Sequence, residues 1–406
     1  MNVISEKRTR ASSLALMVIA VVSLAGVCQA ANWQIETIDA TGVGKFSSLK
    51  IDRDGNAHVA YVTDDGGNTL LLKYAFWDHL LKNWFIMPIA RGASFSSLVL
   101  DSKQRPHISY ADAGTITGTK LHHAYWDGTE WKRETVPVNS TKLGYWTSIA
   151  LDSHDFPTLS YYELDGPAGT DYRVRMRTVT WNGKYWELNT VDGSNQSGKF
   201  NSLAMDAQDH THLAYANVNA TTAGIRYAFW DGKKWNLDVV EGLQNTEFHI
   251  VGYSCYLVLD QDGNPHITYT DMHKPAVKYA VRKDGRWNTE QVDLLGNAGY
   301  PDRNSLALDS QGIPYVGYHD AGRGLLKVAH KEGDKWMAEI VDSNSTGYTS
   351  SMQIDHGVLW ISYADESSGA LRVARKELGN SEQVAAPQET PHTEAQASGA
   401  QAGTGQ

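Results

Sequence analysis

Groups suited to acid–base chemistry and ion pairing are concentrated between residues 249 and 323 of this 406-residue chain. Three short runs, Asp271-Met-His-Lys274, Tyr300-Pro-Asp-Arg303 and Tyr318-His-Asp320, hold most of them. Histidine and carboxylates can take or give protons, tyrosine can do the same or stack on a sugar, and arginine binds an acidic group through parallel hydrogen bonds. The combination predicts a glycan site, for binding or for cleavage.

The candidate residues can be named by role. Catalysis, if the chain has any, is predicted on His319, Tyr318, Arg303 and His273. The candidate ligand-binding residues are Asp271, His273, Arg303, His319, Asp320, Arg323, Tyr253 and Glu163. The chain has no Gly-Lys-Ser/Thr phosphate loop, no Gly-x-Ser-x-Gly elbow and no His-Glu-x-x-His motif, so sequence motifs leave open whether it is an enzyme.

A repeated segment organises the regions that must position these residues. Seven stretches of similar pattern end in Asp, at residues 46–52, 95–101, 146–152, 200–206, 254–260, 303–309 and 349–355. Their final Asp residues are 49, 51, 54, 54, 49 and 46 residues apart. A period near 50 residues without a helical pattern fits four short strands per unit.

Each unit is predicted to contain four antiparallel strands joined by tight turns. The terminal Asp opens a turn such as Asp52-Arg-Asp-Gly-Asn56, where Gly and Asn accept the positive φ that a tight hairpin needs. Six units open their fourth strand with a tryptophan, at Trp84, Trp131, Trp186, Trp235, Trp287 and Trp336. The seventh unit lacks this strand, and Trp33-Gln-Ile-Glu-Thr-Ile-Asp39 matches it. The sequence predicts an all-β, seven-bladed β-propeller with four antiparallel strands per blade, the last blade closed by the N-terminal strand.

A tyrosine near the end of every predicted second strand is followed two residues later by a polar residue. The tyrosines are Tyr61, Tyr110, Tyr161, Tyr215, Tyr269, Tyr318 and Tyr363, and the polar residues are Thr63, Asp112, Glu163, Asn217, Asp271, Asp320 and Asp365. A repeated Tyr is expected to bury its ring between blades, and a repeated Asp to bond nearby backbone amides. We therefore expect function where the repeats differ most, in the loops of blades five and six around the central channel.

Histidines elsewhere are expected to be structural. His58, His107, His212 and His266 share one strand position in four repeats, which favours hydrogen bonding within the blades. His122 and His123 are adjacent on a strand, so they point to opposite faces and cannot chelate one ion together. The Asp-x-Asp-Gly turns lack the remaining ligands of an EF-hand. No cofactor is predicted, although a structural divalent cation such as calcium stays open.

The two ends of the chain are predicted to lie outside the propeller. Residues 1–30 have the basic start, short apolar run and small-residue end of a secretory signal peptide, with cleavage near Ala30. A lipoprotein signal around Cys28 is the alternative. Residues 31–380 form the predicted propeller, and residues 381–406 are a polar tail too poor in apolar side chains to fold. The protein is expected to be secreted or periplasmic and not membrane-spanning.

Charge and cysteine content restrict the partners. The net charge is −10, which argues against nucleic acid as a ligand. Removing the signal would leave Cys255 alone, so the core must hold without an internal disulfide. The expected partner is an extracellular glycan or an envelope protein, and the expected state is a monomer.

The repeats resemble those of the sialidase-like, or BNR-type, group of bacterial propellers, over about residues 31–378. The Asp-box of that group, Ser-x-Asp-x-Gly-x-x-Trp, is approximated by Trp126-Asp-Gly-Thr-Glu-Trp131 and Trp230-Asp-Gly-Lys-Lys-Trp235. The group includes glycan hydrolases, polysaccharide lyases and lectins. The Arg triad and the early Arg-Ile-Pro-like segment of sialidases are not found, so the resemblance implies a lectin-like glycan-binding protein, with a lyase or glycosidase, or an envelope interaction scaffold, as alternatives.

Overall fold

A computed structural model describes residues 32–42, 44–64, 67, 69–113, 119–138, 146–165, 173–194, 196–219, 223–242, 251–271, 274–296, 304–343, 350–365 and 367–379. For residues 165 and 251–253 it describes the backbone alone. The predicted signal peptide, its cleavage point and the predicted tail lie outside these residues. Their assignment stays a prediction.

The described residues form 28 strands, numbered here in chain order. Strand β1 is Gln34–Asp39. Blade one contains β2 (Lys45–Ile51), β3 (Ala57–Asp64), β4 (Leu70–Asp78) and β5 (Asn83–Arg91). Blade two contains β6 (Ala93–Leu100), β7 (Pro106–Asp112), β8 (Leu121–Trp126) and β9 (Trp131–Thr135). Blade three contains β10 (Ser148–Leu151), β11 (Pro157–Asp165), β12 (Arg173–Trp181) and β13 (Trp186–Asp192).

The remaining blades repeat this order. Blade four contains β14 (Ser197–Met205), β15 (Thr211–Asn217), β16 (Gly224–Trp230) and β17 (Trp235–Gly242). Blade five contains β18 (Val251–Leu259), β19 (Pro265–Asp271), β20 (Ala276–Lys283) and β21 (Arg286–Leu294). Blade six contains β22 (Ser305–Leu308), β23 (Pro314–Asp320), β24 (Leu325–Glu332) and β25 (Lys335–Asp342). Blade seven contains β26 (Ser350–Asp355), β27 (Val358–Asp365) and β28 (Ala370–Glu377).

The first strand of the chain completes the last blade. Strand β1 pairs antiparallel with β28, with Gln34 opposite Arg375 and Thr37 opposite Arg372. The strands form seven four-stranded sheets, six in simple meander order and the seventh in the order β1-β28-β27-β26. The predicted seven-bladed propeller and its closure by the N-terminal strand are confirmed. No helix in the described part of the chain is long and apolar enough to cross a membrane.

The repeated Asp at the end of the first strand shapes the hairpin that follows it. Asp52 Oδ1 accepts hydrogen bonds from the backbone N–H groups of Asp54 (3.0 Å) and Asn56 (2.8 Å), and Gly55 has a φ of 83°. Equivalent pairs of bonds form at Asp101, Asp152, Asp206, Asp260 and Asp309. The prediction that these motifs form hairpin turns is confirmed.

The core consists of apolar layers between neighbouring blades. Second strands are buried on both faces, so that every residue of β15 is buried, in keeping with sheets covered on both sides. Six second-strand tyrosines are among the largest fully buried side chains, namely Tyr61, Tyr161, Tyr215, Tyr269, Tyr318 and Tyr363. The blade interfaces therefore determine which polar groups stay accessible.

Candidate functional site at the channel and the blade junctions

The first strands line a cavity of about 300 Å³. Its walls carry small polar side chains contributed by successive blades, including Ser47, Ser96, Thr147, Asn201, Asn304 and Ser350. Trp146 and Phe200 add two aromatic rings to the same wall. The cavity thus combines apolar rings with hydroxyl and amide groups, the composition that small-ligand sites use.

Serines of the first strands tie each blade to the next. The Oγ of Ser48 accepts a hydrogen bond from the Leu98 N–H at 2.9 Å, one blade further on. The same contact recurs from Ile149 to Ser97, from Leu203 to Ser148, from Leu257 to Ser202 and, across the closure, from Leu49 to Ser351. These serines are occupied by backbone contacts, which explains why the repeat contains them.

Four aromatic side chains form a continuous row along blades one to four. The four residues open the repeat segments of their blades, in the first strand or just before it: Phe46, Phe95, Trp146 and Phe200. Ring centroids are 4.1 Å apart for Phe46–Phe95, 5.3 Å for Phe95–Trp146 and 4.3 Å for Trp146–Phe200. We call this set the aromatic row. Blade five has Ser254 at the same position, so the row does not continue there.

The aromatic row is held in a strained backbone conformation. Its φ angles lie between 52° and 68°, in the left-handed region that bulky residues avoid at a cost of about 1–2 kcal/mol each. The turned backbone presents carbonyl groups to the next blade: Phe46 O accepts from Ser96 Oγ at 2.8 Å, and Trp146 O accepts from Asn201 Nδ2 at 3.0 Å. Contacts between blades thus offset the strain and hold the rings in line.

A second repeated arrangement lies at the blade junctions. Each second-strand tyrosine stands opposite a basic residue of the third strand, in the pairs Tyr61–Lys73, Tyr110–His122, Tyr161–Arg177, Tyr215–Arg226, Tyr269–Lys278, Tyr318–Lys327 and Tyr363–Arg372. In five junctions the tyrosine hydroxyl donates to a carboxylate of the preceding blade: Asp39, Asp192, Glu241, Asp293 and Asp342, at 2.5 to 2.8 Å. We call tyrosine, basic residue and carboxylate together the junction triad.

Four triads are closed by an ion pair. Asp39 accepts from Lys73 Nζ at 2.8 Å, and Asp342 accepts from Arg372 Nη1 at 3.1 Å. Glu241 pairs with Lys278, and Asp293 pairs with Lys327. Burial, with the hydrogen bond to the neighbouring carboxylate, raises the pKa of these tyrosines far above its usual value. The tyrosines stay protonated donors.

Two adjacent junctions lack the triad carboxylate. The five carboxylates each follow a fourth-strand tryptophan by six positions, where blades one and two have Ala90 and Pro137. Neither Tyr110 nor Tyr161 donates to a carboxylate among the described residues. In these blades the acid two residues after the tyrosine takes the basic partner, so that His122 Nε2 lies 2.7 Å from Asp112 and Arg177 Nη2 lies 2.6 Å from Glu163.

The candidate residues of blade six are largely occupied by neighbours. The Tyr318 hydroxyl donates to Asp293 at 2.6 Å, and its side chain is fully buried. Asp320 is fully buried as well, accepts from the Gly296 N–H at 2.9 Å and forms an ion pair with Arg323 at 2.5 Å. His319 is buried, and burial lowers its pKa to about 4 despite the nearby Asp320 carboxylate.

The remaining candidates divide between blade five and blade three. Asp271 ends β19 and accepts from the Lys274 N–H at 3.2 Å. Tyr253 lies in β18, where only the backbone is described, and His273 and Arg303 lie outside the described residues. Convergence of His273 and Arg303 with His319 and Asp320 therefore stays a prediction. Glu163 is buried in its ion pair with Arg177.

The second-strand histidines are structural, as expected. His58 Nδ1 lies 2.6 Å from the Tyr74 hydroxyl and its Nε2 lies 3.3 Å from Asp52, and His212 and His266 make equivalent contacts. His123 contacts His107 at 3.1 Å, whereas its neighbour His122 contacts Asp112 on the other face. In the described ranges, no group of three His, Cys, Asp or Glu side chains is placed to hold a metal ion.

The fold is that of known β-propellers. A polysaccharide lyase, Uly1, matches with a TM-score of 0.53 at 9% identity, over 82% of this chain and 89% of its own. An ulvan lyase of a new polysaccharide-lyase family, solved with a GlcA-Rha3S repeat, matches with a TM-score of 0.54 at 12% identity, over 83% of this chain and 94% of its own. The propeller domain of Cps50 (Swd1) from Myceliophteria thermophila matches at 0.55 and 11% identity, over 85% and 100%.

Sialidases are further structures that this chain resembles, with TM-scores below 0.5. No protein-family model matches the sequence, and no curated protein matches it. At identities near 10% the similarity of these structures shows the shared fold alone.

Two features of the site escaped the sequence interpretation, although the sequence carries a signal for each. The aromatic row is visible as Phe46, Phe95, Trp146 and Phe200 at one repeat position, followed by Ser254. The broken triads are visible as the absence of an acid six positions after Trp84 and Trp131. The first signal separates blades one to four from blade five, and the second concerns the fourth strands of blades one and two.

Proposed function

We propose that this protein binds a glycan at the channel opening, through the aromatic row of blades one to four. The observation that carries the proposal is the unbroken contact of four rings, Phe46 to Phe200, between centroids 4.1 to 5.3 Å apart. Three of the four side chains are partly exposed, and Trp146 also lines the channel cavity. A row of apolar rings beside hydroxyl groups is suited to successive sugar units of a chain.

The aromatic row has the character of a binding surface rather than of ordinary core. Three of its four rings are partly exposed, whereas core rings are buried. All four residues have a positive φ, but Ser254 at the same position of blade five shares it, so this conformation belongs to the repeat position and not to the rings. Rigid aromatic groups also lose little conformational entropy on binding.

The solved propellers support a sugar ligand by analogy. Two of them are named as polysaccharide lyases, and one was solved with a GlcA-Rha3S repeat bound. Binding is favoured over cleavage here because Tyr318 is held by Asp293 inside a triad that four other junctions share. With the signal-peptide pattern of residues 1–30, the proposal is a secreted or periplasmic lectin-like protein.

A glycan array with single variants tests the proposal. Trp146→Ala should reduce binding at least tenfold, since it removes the largest ring of the aromatic row. Trp230→Ala is the matched control: Trp230 is also partly exposed and contacts another tryptophan at 5.4 Å, but it stands at the opposite end of a blade. The Asp271→Ala/His319→Ala double variant tests blades five and six. Absence of any glycan signal, or equal loss in Trp146→Ala and Trp230→Ala, would refute the proposal.

A further inference from the structure

We propose that the junction between blades two and three binds a carboxylate carried by a sugar, in the position that the protein's own carboxylate occupies in five other junctions. The inference rests on the glycan-binding function proposed above and assigns the ligand an acidic group. It concerns Tyr161, Arg177 and Glu163, and the position of Pro137. We call this place the carboxylate slot.

The donors of the junction triad are kept in blade three. Tyr161 is buried with 1% exposure and stands opposite Arg177 in the strand pairing, as in every other blade. The acceptor is missing, because the position six residues after Trp131 is Pro137, which is exposed. Tyr161 has no hydrogen-bond acceptor within the part of the chain that the structure describes. The Tyr161 hydroxyl can therefore donate to a ligand oxygen.

Blade seven shows how the occupied slot is built. There Arg372 binds two carboxylates at once: Asp342 of the preceding blade through Nη1 at 3.1 Å, and Asp365 through Nη2 at 2.8 Å. The Tyr363 hydroxyl donates to the same Asp342 at 2.8 Å. Asp365 follows its tyrosine by two residues, which is the position of Glu163 in blade three.

Blade three therefore contains every member of the blade-seven arrangement except the preceding carboxylate. Arg177 binds Glu163 through Nη2 at 2.6 Å and Nε at 2.8 Å, and its Nη1 donates to Thr190 Oγ1. A guanidinium has five N–H donors, so these contacts leave one N–H on Nη1 and one on Nη2 for a second carboxylate. A ligand carboxylate in the slot would accept from Tyr161 and Arg177, the two contacts that Asp342 makes in blade seven.

The surroundings favour an anionic sugar at this junction over its neighbour. Arg173, Arg175 and Arg177 share one face of β12, opposite Asp165, Glu163 and Tyr161 of β11, so the arginines exceed the acids that face them by one charge in a chain of net charge −10. The same blade carries Trp146 of the aromatic row. The junction before blade two also lacks its carboxylate, but its basic residue is His122, whereas Arg177 keeps its charge at all relevant pH values.

The test is to place a carboxylate of the protein itself in the slot by substitution. Pro137→Asp restores the acid that five junctions have, and Pro137→Asn is the matched neutral control. Calorimetric titration would use trigalacturonate and its methyl ester. The unchanged protein should bind the acid about tenfold more tightly than the ester, the value of a charged hydrogen bond. Pro137→Asp should abolish that preference and leave ester binding unchanged, while Pro137→Asn should keep it.

The outcomes separate this inference from the proposed function. Equal binding of acid and ester by the unchanged protein, or an acid preference that survives in Pro137→Asp, overturns the carboxylate slot alone. Failure of both sugars to bind overturns the slot and counts against the glycan site as well. Tighter binding of a peptide with a free C-terminal carboxylate than of trigalacturonate would overturn the assignment to a sugar.

A pair of conservative variants checks the slot without a charge change. Tyr161→Phe should weaken trigalacturonate binding severalfold and leave the melting temperature nearly unchanged, because its hydroxyl has no acceptor to lose. Tyr215→Phe should lower the melting temperature, since it removes the 2.8 Å hydrogen bond to Asp192. Equal melting temperatures for the two variants would contradict the difference on which the inference depends.

Discussion

Asp39 joins the N-terminal strand to blade one, and its replacement by asparagine tests how the ring is closed. The Asp39 carboxylate is buried and accepts from Tyr61 at 2.7 Å, from Lys73 at 2.8 Å, and from the N–H and hydroxyl of Thr41 at 2.8 and 2.6 Å. A hydrogen bond to a charged group contributes about 1.5–3 kcal/mol, against about 1 kcal/mol for a neutral pair. Asp39→Asn keeps the shape of the side chain but weakens the two hydrogen bonds that Oδ2 accepts, from Tyr61 and Lys73. The free energy of unfolding should therefore fall by about 2 kcal/mol.

The assay is urea unfolding at pH 7, with Asp54→Asn as a control on an exposed carboxylate of blade one. A loss of about 2 kcal/mol should lower Tm by roughly 3 °C in a domain of this size. Amide hydrogen exchange should accelerate in residues 34–39 before it does so in other fourth strands, because the lost contacts hold this strand to the neighbouring blade. Identical unfolding of Asp39→Asn and Asp54→Asn would refute the reasoning.

The pH dependence gives a second signature of the same residue. Burial alone would raise the pKa of Asp39, but hydrogen bonds from Lys73, Thr41 and Tyr61 outweigh it and lower the pKa below 3.8. A lowered carboxylate pKa stabilises the folded state above the unfolded pKa of about 3.9, and this contribution is lost as the pH falls below it. The difference in stability between the unchanged protein and Asp39→Asn should therefore shrink between pH 4 and pH 2. A difference that stays constant over that range would show that the carboxylate charge is not what matters.

Two further predictions concern buried polar groups. Burial and the neighbouring His123 lower the pKa of His107 to about 4, so the ring is neutral in the folded protein but takes up a proton near pH 6.5 in the unfolded chain. The free energy of unfolding should therefore fall as the pH drops from about 6.5 to 4. Thermal unfolding across that range should show a smaller fall for His107→Gln. Ser202→Ala removes the acceptor of the buried Leu257 N–H, 3.1 Å away in the next blade. The free energy of unfolding in urea should fall by about 1–2 kcal/mol. A fall below about 0.5 kcal/mol would show that this contact between blades is replaceable.

The architecture could be predicted from the sequence because the same local signals occur seven times. A turn-forming Asp, a strand-opening tryptophan and their fixed separation determine the strands, and the unit missing at one end is matched by Trp33 to Asp39 at the other. Such signals are local in sequence, and repetition averages out the irregularities of single blades. The strand β1 (Gln34–Asp39) accordingly lies where the pattern predicts it.

The site was harder to predict because its essential contacts join different blades. Tyr161 and Pro137 belong to separate repeats, and only the five complete triads show that an acid is missing at Pro137. The prediction for blades five and six relied on unusual residue types in loops. Tyr318, one of those residues, instead occupies an ordinary triad with Asp293, while His273 and Arg303 lie outside the described residues and stay a prediction.

The pairing of the first strand with the last has a consequence for the order of folding. Gln34 and Arg375, hydrogen-bonded side by side, are 341 residues apart in sequence. At a synthesis rate of about 5–20 residues per second, β1 waits roughly 20 to 70 seconds before its partner strand exists. Until then blades one to six can assemble in sequence, while the apolar side of β1 and the open face of blade one have no neighbour. This pairing joins the most distant strands in the sequence, so closing the ring has a large entropic cost at the last step of assembly. We therefore expect the pairing of β1 with β28 to limit the folding rate.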